Sequence, residues 1–385
     1  MSVGRAGRGL GALVAGALLA SGLGVVRARP VPVGRYVELH YGVSSRHPWR
    51  TGQANERRTA RVASHAPRTP PRKLWEASVG AGRVFSPAVA ADGTVYVGSQ
   101  SGVTAVGAGG DVLWSVRTGL VSGTPSFTPE GSLAVGVQPD ELLVFGAGAV
   151  RSRARLGGGV WGSPLVLADG SIVVAAYDHA VHRIDPSGRR IFRTSVRTRI
   201  RGSVALSGEL LVVPAGRELL WLTARGDLAR AVSLGGEVVL GPAIADDGTA
   251  WVATADGVLS AVGPSGRLLV RTELGGHPSA ASNLAIADDG SVRLGVLGAG
   301  LVCVGPNGGV RWRQSSHRGL IQELAVDSAG VTLTVAVDEV MLAVDEAGSV
   351  LWEVPLGAST DAAPVLGADG TIYVPTFGGT LQAWH

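Results

Sequence analysis

Short apolar runs and strictly alternating stretches dominate the chain from about residue 74 onward. The stretch SPAVAADGTVYVGS, residues 86–99, begins with an apolar run, turns at Asp-Gly and continues with alternating side chains. Alternation by twos indicates β-strands, and Asp-Gly supplies the positive φ of a tight turn. Because no helical period of helix length follows residue 73, the sequence predicts an all-β fold.

This unit recurs eight times at intervals of 38 to 42 residues. Its turn glycine recurs at Gly93, Gly131, Gly170, Gly208, Gly248, Gly290, Gly330 and Gly370. Four-stranded units of this length, repeated radially, are the blades of a β-propeller. We therefore expect an eight-bladed β-propeller over residues 74–385, with four antiparallel strands per blade. The last unit lacks its fourth strand, so an N-terminal strand at about residues 73–78 should complete the last blade and close the ring.

Composition and charge separate the N-terminal part from the repeats. The chain is 45% hydrophobic, which suffices for a large core. Its net charge of +4 combines +11 for residues 1–73 with −7 for residues 74–385. A mildly acidic repeat region does not present the clustered cations that phosphate contacts require, so no nucleic-acid partner is expected.

The first 28 residues have the pattern of a secretory signal peptide. Arg5 and Arg8 precede an uncharged stretch over residues 9–26, and small residues follow. That stretch also reaches the lower length limit for a membrane span, so an uncleaved anchor is the alternative. Residues 29–73, rich in Arg and Pro, are interpreted as a solvated linker or arm. The protein is therefore expected to be exported, periplasmic or extracellular, and to touch a membrane only through residues 9–26 if they are retained.

Two segments carry a family resemblance. AVGAGGDVLW (residues 105–114) and AVDEAGSVLW (residues 343–352) resemble the tryptophan-docking motif of quinoprotein-type, PQQ-like repeat propellers, and WRTGQ (residues 49–53) resembles the leader of many such proteins. The resemblance is to the non-enzymatic branch, which includes the propeller lipoprotein of the outer-membrane barrel-assembly machine. It implies that one side chain per unit packs a blade against its neighbour, here Trp75, Trp114, Phe192, Trp312 and Trp352. Ser152, Arg230 and Val270 replace an aromatic residue at this position, where looser contacts are expected.

The chemistry of an enzyme is not evident in the sequence, and we expect no catalytic residues, no cofactor and no metal. Quinoprotein dehydrogenases carry a vicinal cysteine pair, a calcium-binding carboxylate cluster and a catalytic aspartate, and this chain has only Cys303. His179 and His182 are interpreted as unrelated histidines, since one lies in a turn. The two ADDG segments, residues 245–248 and 287–290, are interpreted as turns rather than calcium loops.

An enzymatic site assembled across blades remains an alternative because sequence spacing would not reveal it. Carboxylates expected near the central channel are Asp140, Glu141, Asp256, Asp338 and Glu339.

A run of arginines is the most distinctive surface feature. Arg197, Arg199 and Arg201 are spaced by two and are expected in the loop from the third blade into the fourth. Arginine is favoured where carboxylate or phosphate is bound. We therefore treat five residues as candidates for partner binding, with solvated loop arginines as the alternative: Arg189, Arg193, Arg197, Arg199 and Arg201.

These observations favour a monomeric, exported, non-enzymatic scaffold that binds a protein or an envelope polymer through loops on one face. A role in outer-membrane protein assembly is a further alternative that the family resemblance implies. The absence of a lipid-acceptor cysteine near the N-terminus departs from that lipoprotein.

Overall fold

The fold is a closed ring of eight four-stranded sheets, as the repeats predict. A computed structural model describes residues 47–385 except residues 161, 201 and 316–320, and the described residues form 32 strands and no helix. The expected signal or anchor and the first part of the arm lie outside the described residues.

Strand β1 (Lys73–Ser78) precedes the first blade. Blade 1 consists of β2 (Ala88–Val89), β3 (Val95–Gly98), β4 (Gly102–Val106) and β5 (Val112–Arg117). Blade 2 consists of β6 (Ser126–Phe127), β7 (Leu133–Val137), β8 (Glu141–Gly146) and β9 (Ala149–Arg155). Blade 3 consists of β10 (Leu165–Val166), β11 (Ile172–Ala176), β12 (Ala180–Ile184) and β13 (Arg190–Ser195). Blade 4 consists of β14 (Ala205–Ser207), β15 (Leu210–Ala215), β16 (Glu218–Leu222) and β17 (Leu228–Ser233).

Blade 5 consists of β18 (Val238–Ile244), β19 (Ala250–Thr254), β20 (Val258–Val262) and β21 (Leu268–Glu273). Blade 6 consists of β22 (Ala285–Ile286), β23 (Val292–Val296), β24 (Gly300–Val304) and β25 (Val310–Gln314). Blade 7 is β26 (Ala325–Val326), β27 (Thr332–Ala336), β28 (Val340–Val344), β29 (Val350–Pro355). Blade 8 is β30 (Val365–Leu366), β31 (Ile372–Pro375), β32 (Thr380–Trp384) and β1.

The four strands of each blade are here called A, B, C and D, in order from the channel outward, so that blade 1 consists of β2, β3, β4 and β5. The innermost strands of several neighbouring blades contact one another, and strands A, B and C are almost wholly buried. Strand D alternates between exposed and half-buried side chains, as in β5. The hydrophobic core therefore lies between adjacent blades rather than in one central mass.

Strand β1 closes the ring, which confirms the expectation for residues 73–78. It pairs antiparallel with β32, from Lys73 opposite Trp384 to Ser78 opposite Thr380. Arg72 and His385 extend this pairing with two backbone hydrogen bonds of 2.8 and 2.9 Å. Strand β32 of the last blade thus keeps no unpaired outer edge.

Aromatic side chains on strand D rest on the C–D turn of the next blade. The indole Nε1 of Trp75 donates to the Ala108 carbonyl, and that of Trp312 donates to the Glu346 carbonyl, each at 2.9 Å. Under each ring lies the turn glycine of the next blade, as with Gly348, whose φ is +91°. A Cβ there would lie 2.7 Å from the Trp312 ring. Trp114 and Phe192 lie in the same way over Gly148 and Gly226.

Trp352 is the exception, because blade 8 takes its strand D from the N-terminus and has no C–D turn. Its Nε1 donates instead to the carbonyl of Pro67, at 2.8 Å. The N-terminal segment therefore supplies the acceptor that the missing turn would provide.

Residues 49–66, part of the segment whose composition predicts a solvated arm, are instead largely buried. Residues 49–66 are here called the plug. They run around one end of the central channel, on the side of the A–B turns, and contact the blades in their sequence order. Trp49, Arg58 and Ala60 are at most 1% exposed. The correction has a physical cause: the plug is held by backbone hydrogen bonds, which a polar sequence makes as readily as an apolar one.

Six blades hold the plug through the backbone of the described residues. In each, an N–H of the innermost strand donates to a plug carbonyl at 2.8–3.0 Å. The pairs are Val89 with Trp49, Phe127 with Arg50, Leu206 with Glu56, Ile244 with Arg57, Ile286 with Thr59, and Val326 with Ala60. To follow the ring, the plug bends through left-handed conformations at Gln53, Ala54, Arg58 and Ala60.

The two ADDG turns also serve the plug. Asp246 of blade 5 pairs with Arg57 at 2.5 Å and with Arg61 at 2.9 Å, and Asp288 of blade 6 pairs with Arg61 at 2.8 Å. The second aspartate of each segment caps its own turn, since Asp247 accepts the N–H of Thr249. The first aspartate of each segment thus neutralises part of the positive charge of the plug.

The ring consequently has two different faces. The closed face carries the A–B and C–D turns and the plug, and the open face carries the B–C turns and the D–A loops that link blades. No helix long and apolar enough for a membrane span occurs in the described part of the chain.

Candidate functional site

A cavity lined by residues of all eight blades lies on the channel axis and opens at the open face. Its volume is about 510 Å³, and its lining comes mainly from the D–A loops, with Tyr177 of a B–C turn and Val239, Leu240 and Gly241 of β18. Gly52 and Gln53 of the plug also line it. Because the plug covers the other end, the cavity is a cup with one mouth rather than a tunnel.

One wall of the cup, on blades 7, 8 and 1, carries paired charges. Arg83 Nε donates to Asp361 at 3.1 Å, and its guanidinium lies 4.9 Å from the Phe85 ring centre and 5.7 Å from that of Phe377. Glu323 accepts a hydrogen bond from Ser86 Oγ at 2.6 Å. Each of these charged groups therefore already has a partner within the protein.

Burial raises the pKa of Glu323, while hydrogen bonds from Ser86 and the Ala363 N–H and the nearby Arg83 act in the opposite direction. Because folding raises the pKa of this carboxyl, protonated Glu323 stabilises the folded protein fully at pH values below the pKa that the carboxyl has in the unfolded chain. This stabilisation is lost as the pH rises through the pKa that the carboxyl has in the folded protein.

Glu323→Gln should therefore raise the urea midpoint of unfolding at pH 8 and leave it unchanged at pH 4. The amide keeps an oxygen to accept the Ser86 hydrogen bond and cannot ionise. Urea titrations of both proteins at the two pH values test this. A variant that is less stable than the parent at pH 8 would contradict the assigned direction.

The opposite wall, on blades 3 and 4, carries a cation with no anionic partner. The Arg199 guanidinium lies 4.9 Å from the centre of the Tyr177 ring, and both side chains line the cup. Among the described residues, no carboxylate lies within ion-pair distance of Arg199. This wall therefore presents uncompensated positive charge to the cavity.

Hydroxyl groups lie on the same wall. Ser163 Oγ accepts the N–H of Thr124 at 3.0 Å, and Ser203 Oγ accepts the N–H of Ser163 at 2.9 Å. In these bonds each hydroxyl oxygen acts as an acceptor, so its own hydrogen remains available as a donor. Ser163, Ser203 and Arg199 all line the cup and offer hydrogen-bond donors to an occupant.

The arginine run does not form one surface in the structure. Arg189 lies in a C–D turn on the closed face and pairs with Asp185, and Arg193 on β13 pairs with Asp178, each at 3.0 Å. Arg197 and Arg199 lie in the loop from blade 3 to blade 4, as expected, but only Arg199 lines the cup. Arg201 lies outside the described residues.

The carboxylates proposed for a cross-blade site do not line the cup either. Asp140, Glu141, Asp256, Asp338 and Glu339 lie in or beside B–C turns, and none is among the described lining residues. Glu141 accepts from Arg153 at 3.0 Å, and Glu339 accepts from Ser359 at 2.6 Å. Sequence reasoning missed Glu323 and Asp361, because the D–A loops that bring them to the axis carry no local motif.

An apolar arc lies beside the mouth of the cup. It consists of Leu297, Val337 and Phe377, which occupy equivalent positions in the B–C turns of blades 6, 7 and 8 and are 41–51% exposed. The other large exposed apolar side chains of the described residues lie on outermost strands, distributed around the ring. The arc is thus the apolar feature of the open face, and such exposure marks contact surfaces.

Comparison with solved structures gives the same fold at low sequence identity. BamB from Moraxella catarrhalis is 16% identical with a TM-score of 0.68, over 82% of this chain and 97% of that one. The computationally designed Ika8 protein is 15% identical with a TM-score of 0.70, over 82% and 99%. Quinohemoprotein alcohol dehydrogenase from Comamonas testosteroni is 14% identical with a TM-score of 0.72, over 87% and 80%. No curated protein matches the chain.

The residues of the cup do not fit the quinone cofactor of a quinoprotein dehydrogenase. Cys303 is buried in blade 6 and is not part of the cup lining. The cup carboxylates are engaged by Arg83 and Ser86. Nowhere in the described ranges do three His, Cys, Asp or Glu side chains group to hold a metal ion.

A family model matches the sequence itself. The model described as outer membrane protein assembly factor BamB covers residues 99–241 and 297–384, together more than half of the 385 residues. Its two matched segments span the repeats that carry the docking tryptophans Trp114, Trp312 and Trp352. The chain therefore belongs to the PQQ-like repeat propeller family of outer membrane protein assembly factor BamB.

Proposed function

We propose that this chain is an exported scaffold that binds a protein partner through its open face and serves outer-membrane protein assembly. The observation that carries the proposal is the asymmetry of the ring. The plug seals one face, and the other combines the apolar arc with the mouth of the cup. A rigid ring that presents one differentiated loop face is suited to a docking platform.

Family membership supports the outer-membrane role. The family is described as an outer membrane protein assembly factor, and one structural neighbour is a BamB. The positive N-terminal region followed by an uncharged stretch supports export to the envelope.

Affinity capture of the tagged full chain from the cells that make it tests the proposal. Replacing Leu297, Val337 and Phe377 with serine should abolish co-purification of the partner and lower the levels of outer-membrane proteins. The matched control replaces Leu113, Ile191 and Leu269, apolar residues of outermost strands that are 45–56% exposed, with serine. Equal capture by the parent and the open-face variant would refute the proposed docking face.

An enzyme with a site at the channel is the second candidate, and Glu323 is the observation that favours it. Its carboxyl faces the cup and has a raised pKa, as general acids often do. A hydrolase and lyase screen of the parent and the Glu323→Gln variant tests this candidate. Turnover that the substitution abolishes would establish it, and absence of turnover in the parent would count against it.

A further inference from the structure

The cup is blind, and this restricts what can occupy it. Gly52 and Gln53 of the plug lie in its lining, and six backbone hydrogen bonds of 2.8–3.0 Å hold the plug to the innermost strands at the closed end of the channel. A polypeptide therefore cannot thread through the ring. An occupant must enter and end on the same side, which suits a chain end better than a continuous strand.

The volume of the cup also favours a short occupant. About 510 Å³ lies within the roughly 300–1,000 Å³ typical of pockets that bury ligands the size of a small molecule. The lining is rich in serine, threonine and glycine, so an extended backbone can approach closely and find hydrogen-bond partners.

Charge decides which chain end fits. On the wall of blades 7, 8 and 1, Arg83 is paired with Asp361 and Glu323 is bonded to Ser86. On the opposite wall Arg199 has an aromatic contact but no ion pair within the described residues. The cation without an anionic partner favours a carboxylate over an amino terminus.

The hydroxyls of Ser163 and Ser203 complete this wall. Both accept backbone N–H groups and so have their hydrogens available as donors inside the cup. The apolar arc at Leu297, Val337 and Phe377 lies on the same face, where the residues preceding a bound chain end would emerge.

We propose that the cup binds the free C-terminal carboxylate of a polypeptide, with Arg199 as the residue that recognises it. This inference rests on the proposed function, since it specifies the chemistry that the open face selects in its protein partner. The occupant is a chain end that inserts from the open face, with its carboxylate at blades 3 and 4.

A matched pair of peptides tests the proposal with the full chain. Acetyl-Ala-Leu-Ala-Leu-Ala is titrated calorimetrically with either a free C-terminal carboxylate or a C-terminal amide. The free acid should bind about tenfold or more tightly than the amide, since a charged hydrogen bond is lost. Arg199→Gln should weaken binding of the acid about tenfold and abolish the difference between the two peptides.

Arg197→Gln is the control, because Arg197 lies in the same loop but does not line the cup. It should bind both peptides as the parent does, and both variants should retain the urea midpoint of the parent. Equal affinity for acid and amide, no effect of Arg199→Gln, or no binding of either peptide would overturn the inference. If the peptides fail while the serine variant of the apolar arc still loses its partner, only the inference about the cup falls.

Discussion

Replacement of Arg58 by alanine is expected to lower the free energy of unfolding by about 3–5 kcal/mol. The guanidinium is 1% exposed and donates to the carbonyls of Gly52, Ser163, Pro164 and Val204 at 2.8–3.2 Å, and to Thr51 Oγ1 at 2.9 Å. Burial lowers its pKa to about 10, so the side chain remains charged at neutral pH. Alanine would leave buried carbonyls without a donor and a cavity in their midst.

Arg57→Ala is the matched control for this prediction. Arg57 is the neighbour of Arg58 in the plug, but its side chain is 35% exposed and pairs with Asp246, which is 61% exposed. Exposed ion pairs contribute about 0–1 kcal/mol, so this variant should be close to the parent. Urea unfolding followed by tryptophan fluorescence measures both. Equal losses for the two variants would show that the buried guanidinium does not anchor the plug.

Gly348→Ala is expected to be the second most damaging change, with a loss of about 3 kcal/mol. Its φ of +91° disfavours any side chain, and the new Cβ would lie 2.7 Å from the Trp312 ring. The ring would have to move, which would break the 2.9 Å hydrogen bond from Trp312 to the Glu346 carbonyl. Contact between blades 6 and 7 would loosen as a result.

Gly131→Ala separates the two contributions. Gly131 has a φ of +81°, but nothing lies within 4 Å of the position that its Cβ would take. This control should lose only the roughly 1–2 kcal/mol of a left-handed alanine. Thermal unfolding of both variants gives the difference. If both lose the same amount, docking of Trp312 on the turn contributes nothing measurable.

The ring could be predicted from sequence because its determinants are local and repeated. The turn glycines mark each unit, and Trp75, in register with Trp114 but preceded by no other strand of a unit, indicates the strand that closes blade 8. The same sequence pattern occurs eight times, and each occurrence indicates the same local arrangement of strands and turns. This prediction of the repeated unit does not depend on any long-range contact.

The plug could not be predicted in the same way. Arg50, Arg57, Arg58 and Arg61 give it the composition of a solvated segment, and its main contacts are backbone hydrogen bonds to residues far along the chain. One signal was present in the sequence. The extra aspartates Asp246 and Asp288 occur in the two turns that meet the arginines of the plug.

The cup was predicted only in part. Arg199 belongs to the arginine run that the sequence singled out, and its loop was placed correctly between blades 3 and 4. Glu323 and Asp361 were missed because the eight D–A loops meet at the axis only once the ring has closed. Sequence spacing carries no information about which loops face one another across the channel.

The central claim is that partners dock on the open face, and site-specific photo-crosslinking in the cells that make the protein tests it most directly. The crosslinker replaces Val337, in the B–C turn of blade 7, or Ala347, an exposed residue of the C–D turn on the closed face of the same blade. We expect a discrete crosslinked protein from position 337 and none from position 347. Crosslinks from position 347 alone would contradict the assignment of the docking face.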